Sequence, residues 1–231
     1  MKILFNRGYL CCGCSEQINK EDAVFIYKHS CLCKDCFAKI KAYPKLYRFE
    51  AVKPVDFLTP IVYYKDLYRD MFLRFKFQSD MACGHIIGQM LEHYLKGCRL
   101  FLDYSYIVPV PVSRKRRNLR GFNQTDILAE YVSKALNIPI RKILERVKHS
   151  TPQSLMIKRY RSENVKGAFR AGCQLNGENI IIFDDVYTTG STAGECAKLL
   201  IEAGAGSVCA IAAAHNHTEY VDRTIHLFHK S

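Results

Sequence analysis

The stretch that decides the fold is "IIIFDDVYTTGST", Ile180 to Thr192. Four large apolar residues without polar alternation read as a short strand buried on both faces. Two aspartates, Asp184 and Asp185, then leave the strand side by side. Thr188, Thr189, Gly190, Ser191 and Thr192 form a turn that leads into a helix beginning near Thr192. In an open parallel sheet, ligands bind at the carboxyl ends of strands, and this turn stands at such an end. Unpaired N–H groups and the dipole of the following helix favour an anion there, and Gly190 lets the backbone approach it closely. The carboxylates repel that anion. They suit a group carrying hydroxyls, such as a ribose, with help from a divalent metal. Together the two halves describe a clamp for a ribose 5-phosphate. No Gly-Lys pair is present, so this is not a Walker loop. A plain strand ending in a capped helix accounts for the glycine and one threonine, but not for the paired acids.

Outward from this loop, helices alternate with strands. Helical spacing of apolar residues marks "YKDLYRDMFLRFKF", "GHIIGQMLEHYL", "TDILAEYVSKAL" and "TAGECAKLLIEAGA", the last stopped by Gly204. "YIVPVPV" is extended, because proline disfavours helix at the residue before it. "SVCAIAAA" reads as a second buried strand. From Ile61 onward this order predicts an α/β fold, a parallel sheet covered by helices on both faces. The extended segment around Val108 to Val112 ends in Ser113, Arg114, Lys115, Arg116 and Arg117. A turn at that strand end brings strong donors over a diphosphate, beside the two aspartates. A solvated basic turn is the competing reading.

Six of the 11 cysteines crowd between Cys11 and Cys36. Cys11 and Cys14 form CxxC, Cys33 and Cys36 form a second, and 18 residues separate the pairs. That spacing suits a four-cysteine structural zinc site. Cys12 and Cys31 are alternatives for a neighbouring ligand, and His29 is an outside candidate. Pro44 and Pro54 mark a joint, which divides the chain into a zinc-binding module over 1–50 and a second domain over 51–231.

The chain has 231 residues, 48% of them hydrophobic, which suits a folded globular protein. No apolar run approaches the roughly 20 residues of a membrane span. The N-terminal segment reads as neither signal peptide nor anchor, and the expectation is a cytoplasmic protein without disulfides. Lys and Arg number 34 against 22 Asp and Glu, a net charge of +12. Such a balance favours a polyanionic partner, a nucleic acid, a phosphorylated metabolite or a membrane surface; a soluble protein that is simply basic is the competing reading.

"IIIFDDVYTTGST" resembles the phosphoribosyl-pyrophosphate (PRPP) loop of type I phosphoribosyltransferases. The resemblance implies that fold. It also implies that Asp184 and Asp185 hold the ribose hydroxyls, that Thr188 to Thr192 hold the 5-phosphate, and that Ser113, Arg114, Lys115 and Arg116 hold pyrophosphate, with Mg²⁺ as cofactor. The chemistry of such a site is displacement at the anomeric carbon as pyrophosphate departs. In 6-oxopurine transferases an Asp that contacts the base stands fifth in the loop. Here that position is Thr188, which argues against a hypoxanthine or guanine acceptor.

With the cysteine module in front, nearly the whole chain resembles the ComF (ComFC) family of competence proteins. The residues that carry this are "CCGC", "CLCKDC", "LRFKFQSD", "PVPVSRKRRNLRGFNQ", "TPQSLMIKRYRSENVKGAF" and the loop above. The family implies a role in natural transformation, handling incoming single-stranded DNA at the inner membrane. The partners it implies are PRPP, single-stranded DNA and other competence or DNA-processing proteins there. Through the match, Arg120 and Asn123 brace the basic loop and Lys76 faces the pyrophosphate. The segment Lys158 to Lys166 becomes a mobile flap or a DNA-contacting loop. Tyr43, Tyr47, Phe49, Tyr64, Tyr68, Phe75 and Phe77 alternate with basic residues, a pattern for stacking bases along a charged track; the competing reading makes most of them core. The other functional readings are a salvage phosphoribosyltransferase that transfers ribose 5-phosphate from PRPP to an amine or base, and a PRPP sensor without turnover.

Overall fold

The computed structural model describes residues 8–147 and 167–216. The segment Lys158 to Lys166 lies outside them. Four parallel strands form the main sheet: β5 (Leu58–Tyr63), β6 (Tyr106–Pro109), β9 (Asn179–Tyr187) and β10 (Ser207–His215), in the order β5-β10-β9-β6. Register is continuous across the middle, with Ile181 opposite both Ile107 and Cys209. Side chains alternate between the two faces, and both faces are covered. Ile181, Phe183, Cys209 and Ile211 point into one apolar cluster with α2 (Asp66–Gln78), α3 (Met81–Leu95) and α5 (Gln124–Leu136). Ile180, Ile182, Val208 and Ala210 point into the other, against α6 (Ser191–Glu202) and the hairpin-like pair β7 (Leu144–Arg146) and β8 (Phe169–Ala171). The unbroken apolar run of β9 is the sequence signature of this double burial.

Strand β5 is a member that sequence periodicity does not announce, because Pro60 interrupts it. A proline has no N–H for a ladder, so it belongs near a sheet edge. β5 is the terminal strand of the main sheet, and the segment before it adds only isolated bridges, Ala42 to Val62 and Phe49 to Leu58. The basic stretch after β6 also departs from expectation. It is not a turn but a short helix, α4 (Arg114–Arg120).

The N-terminal strands form a second sheet, β2-β1-β4-β3, from β1 (Tyr9–Cys11), β2 (Gln17–Ile18), β3 (Ala23–Tyr27) and β4 (Ser30–Cys33), followed by α1 (Lys34–Lys39). This module packs on α3. Tyr27 stacks on His85 at 4.0 Å, Gln89 donates to the carbonyl of Ile26, and Phe37 meets His93 and Tyr94. Its buried cysteines belong to the same apolar cluster as α2 and α3.

Several aromatics in the basic segments are core. Tyr68 and Phe75 are fully buried, and Tyr43 nearly so. Phe75 is enclosed by Phe72 and stacks on Phe122 at 5.1 Å. These three are not free to stack bases. Truncating Phe75 leaves a cavity between α2, α3 and the approach to α5. Phe75→Ala is expected to lower stability by about 3–5 kcal/mol in urea denaturation.

Candidate functional site: an acid pair at the carboxyl end of the sheet

The end of β9 collects residues from three distant parts of the chain. Asp185 is buried and accepts from Lys76 Nζ at 3.1 Å and from Gln124 Nε2 at 2.8 Å, both on Oδ2. Its Oδ1 accepts the N–H of Val186 at 2.7 Å. Lys76 comes from the last turn of α2 and Gln124 is the first residue of α5. Asp184 accepts the N–H of Asp185 at 2.8 Å and, among the described residues, forms no ion pair, the Lys76 charge acting on it only as a minor influence. The environments push the two acids apart. Burial, then the Asp185 charge, raise the Asp184 carboxyl to about 7. Burial opposes ionisation of Asp185 as well, but the Lys76 ammonium and the Gln124 amide outweigh it and hold that carboxyl below its usual range. The pair therefore carries one firm negative charge and one acceptor that titrates near neutrality.

The turn follows directly. Thr188 is exposed, and Thr189 Oγ1 lies 2.9 Å from Ser191 Oγ. Gly190 is the N-cap of α6 at φ 76°. A Cβ at Gly190 would collide with the Tyr187 hydroxyl, so the left-handed turn and its packing both require glycine. Tyr187 in turn accepts from the N–H of Val52 at 3.4 Å. Ser191 and Thr192 open α6, and no acid sits in its first turn.

On the neighbouring strand, Val110 N–H donates to the Phe183 carbonyl at 2.9 Å, which brings the start of α4 next to the acid pair. Ser113 is buried, and its carbonyl accepts from Arg117 N–H, closing the first turn of α4. Arg114 is not gathered into the acid pair. Its side chain is 81% exposed and pairs with Glu145 on β7 at 2.7 Å. Glu145 also pairs with Arg170, and its carboxyl is lowered by Arg114 first and Arg170 second. The side chains of Lys115 and Arg116 lie outside the described residues. Asn123 caps α5, accepting from Thr125 N–H and donating to Asp126. Arg120 donates to Gln124 Oε1 at 3.1 Å, so Arg120, Gln124 and Asp185 form one hydrogen-bonded chain. Sequence reasoning did not single out Gln124. The available signal was its place directly after the capping Asn123, one turn beyond Arg120.

The four cysteines converge. The sulfurs of Cys11, Cys14, Cys33 and Cys36 all lie within 4.8 Å of one another. Cys11 Sγ accepts from Gly13 N–H and Cys33 N–H, and Cys33 Sγ accepts from Cys36 N–H as the cap of α1. Burial opposes ionisation of Cys11, but backbone N–H groups from Cys14, Cys33 and Gly13 bring its thiol down to about 7. A Cβ at Gly13 would strike Cys36, so this turn also requires glycine. A tetrahedral ion with ~2.3 Å bonds to sulfur needs sulfurs roughly 3.8 Å apart, a small contraction of this cluster. The set could hold a metal such as zinc. Cys12 and Cys31 stand outside it: Cys31 points to the Tyr9 carbonyl, and Cys12 faces Cys83. The module is tied to α2 by Arg74, which donates to the Cys12 carbonyl at 2.7 Å and to Asp80, the cap of α3, at 2.7 Å.

The chain is 30% identical over 205 residues to Competence protein F of Haemophilus influenzae, covering 84% of this chain and 85% of that protein. The chain belongs to the ComF family of competence proteins. A second ComF relative, Competence protein ComFC of Bacillus subtilis, is 32% identical over 143 residues, 61% of this chain and 56% of that one. The DNA utilization protein YhgH of Escherichia coli is 39% identical over 103 residues, 44% of this chain and 45% of its own length. No family model matches. Among solved structures, the allosteric regulatory enzyme of purine biosynthesis aligns at 19% identity over 55% of this chain and 24% of that one, with a TM-score of 0.35. The fold of this ComF chain is α/β: a parallel sheet flanked by helices, with an acid pair and glycine turn ending an inner strand, and a four-cysteine module in front. Among the described residues no helix is long and apolar enough to cross a membrane.

The asymmetry of the acids has a direct consequence for stability. The Asp184 carboxyl is raised from 3.8 to about 7, so its burial costs nothing below pH ~4 and the full amount above pH ~7. Asp184→Asn is therefore expected to raise Tm at pH 8, with the gain shrinking as pH falls toward 4. The folded value of Asp185 is lowered, so its contribution persists above the ordinary carboxylate range and is lost in acid. Asp185→Asn should lower stability at pH 7 by roughly 1–3 kcal/mol, because Lys76 loses its counter-charge. Thermal melts between pH 4 and 8 read both effects.

Proposed function

We propose that this chain is a competence protein that binds PRPP with Mg²⁺ and single-stranded DNA, and serves natural transformation at the cytoplasmic face of the inner membrane. The observation that carries the ligand assignment is the acid pair: one carboxylate braced by Lys76 and Gln124, a second beside it, and a glycine turn opening α6 one step further. Asp184 and Asp185 accept the ribose hydroxyls. The N–H groups and hydroxyls of Thr188 to Thr192 hold the 5-phosphate. Ser113, Arg114, Lys115 and Arg116, at the start of the basic helix α4, are assigned to the pyrophosphate, with Arg114 exchanging Glu145 for it and Arg120 and Asn123 as supporting residues. Mg²⁺ supplies charge neutralisation of that group when bound. Membership of the ComF family and the names of the relatives support the role in DNA uptake. A structural zinc ion on Cys11, Cys14, Cys33 and Cys36 fits the sulfur cluster, since four thiolates leave no position for a reacting ligand. A second reading, a salvage phosphoribosyltransferase acting on an amine or base, is tested by release of pyrophosphate from PRPP against a panel of acceptors.

PRPP binding is expected to weaken several-fold from pH 8 to pH 6 as Asp184 gains its proton, and calorimetry should find Asp185→Asn at least tenfold weaker at both values. Unchanged affinity in Asp185→Asn overturns the ligand assignment. Elemental analysis is expected to give one zinc per chain, lost with partial unfolding in Cys33→Ser; a metal-free, fully folded wild type excludes the zinc site.

A further inference from the structure

We infer that Phe77 and Arg120 form a base-stacking site for single-stranded nucleic acid, linked to the acid pair through Gln124. This inference rests on the proposed function and specifies where the nucleic acid meets the ribose site. Among the basic-aromatic residues of the sequence, Tyr43, Tyr68 and Phe75 are sealed in the core, but Phe77 is 65% exposed at the end of α2. Among the described residues most of its ring is left open. The Arg120 guanidinium lies over the ring at 5.2 Å. Arg120 belongs to α4, whose sequence RKRRNLR contains no acid, and Arg117 beside it is exposed. A planar aromatic and a planar cation on an acid-free basic helix match a partner with both π-faces and phosphates. Unpaired bases present those faces; a duplex hides them in its own stack.

The same guanidinium donates to Gln124 Oε1, and Gln124 Nε2 donates to Asp185 Oδ2. Asp185 already accepts from Lys76 and from the Val186 N–H, so three donors occupy a carboxylate with about four acceptor positions. A base seated on Phe77, with its phosphate on the Arg120 guanidinium, changes the donor that orients Gln124 through Oε1, and with it the amide that donates to Asp185. The fourth acceptor position of Asp185, the one open to a ribose hydroxyl, is set by that orientation. Nucleic acid and ribose-phosphate ligand therefore reinforce each other, and by linkage the effect is reciprocal.

The test is fluorescence anisotropy with a labelled oligo(dT), with and without PRPP and Mg²⁺, on full-length wild type, Phe77→Ala, Phe77→Tyr and Gln124→Ala. Wild type is expected to bind the single strand more tightly than a duplex of the same length, and two- to tenfold more tightly with saturating PRPP, on the order of typical coupling. Phe77→Ala should weaken oligo(dT) binding roughly 5- to 100-fold while PRPP affinity measured without DNA stays within about twofold, and Phe77→Tyr should restore it. Gln124→Ala, with PRPP raised to saturation of its own separately measured affinity, should bind oligo(dT) yet lose its response to PRPP. Wild-type binding of oligo(dT) that Phe77→Ala leaves unchanged, or equal binding of duplex, overturns the stacking site alone. A PRPP effect that persists in Gln124→Ala, or is absent in wild type, overturns the coupling alone. Absence of any oligo(dT) binding by wild type overturns the proposed function together with this site.

Discussion

The site depends on a single carboxylate held ionised inside the protein. Asp185 stands at the end of a strand buried on both faces, where a lone charge is costly unless it is paired and hydrogen-bonded. Lys76 and Gln124 meet that requirement from two helices that approach from the same side of the sheet. Once Asp185 is fixed as the charged member, Asp184 is left as the group whose charge follows conditions. The same contacts that make the pair affordable electrostatically also fix where α2 and α5 end. Fold and site are in this sense one constraint, since moving either helix end exposes or orphans the charge.

The two faces of the sheet divide the labour. On the α6 side, small residues such as Ala210, Ala212, Ala193 and Ala197 let helix and sheet close tightly, which sets the glycine turn against β9. On the other side, large aromatics hold α2 and α3 against the four-cysteine module. The carboxyl end of β9 therefore receives its glycine turn from one face and the counter-charge of Asp185 from the other. Val52, from the segment before β5, reaches across to Tyr187 and so joins the first face to the chain that leaves the module.

Much of this was legible in the residues themselves. An apolar run without alternation announced β9 and β10, and the cysteine spacing announced the sulfur cluster, because each pattern is local. β5 was obscured by Pro60, and α4 by its lack of apolar periodicity, with Leu119 the single apolar residue in RKRRNLR. The unequal fate of Asp184 and Asp185 was not readable, because the deciding cation stands 109 residues away in sequence. Gln124 was hidden for a related reason: a neutral amide at a helix start reads as part of a cap until its partner is seen. Arg114 shows the converse, a residue whose type suited a diphosphate but whose side chain is engaged by Glu145.

Arg74 grips the cysteine turn by a peptide carbonyl, that of Cys12, and not by a sulfur. Two residues further along the same helix, Lys76 grips Asp185. What α2 senses of the module is thus the shape of a backbone turn, independent of the charge or identity of whatever the sulfurs hold. The cysteine turn and the acid pair are thus held by one helix two residues apart, so the placement of the turn and the placement of the buried charge share a single rigid element.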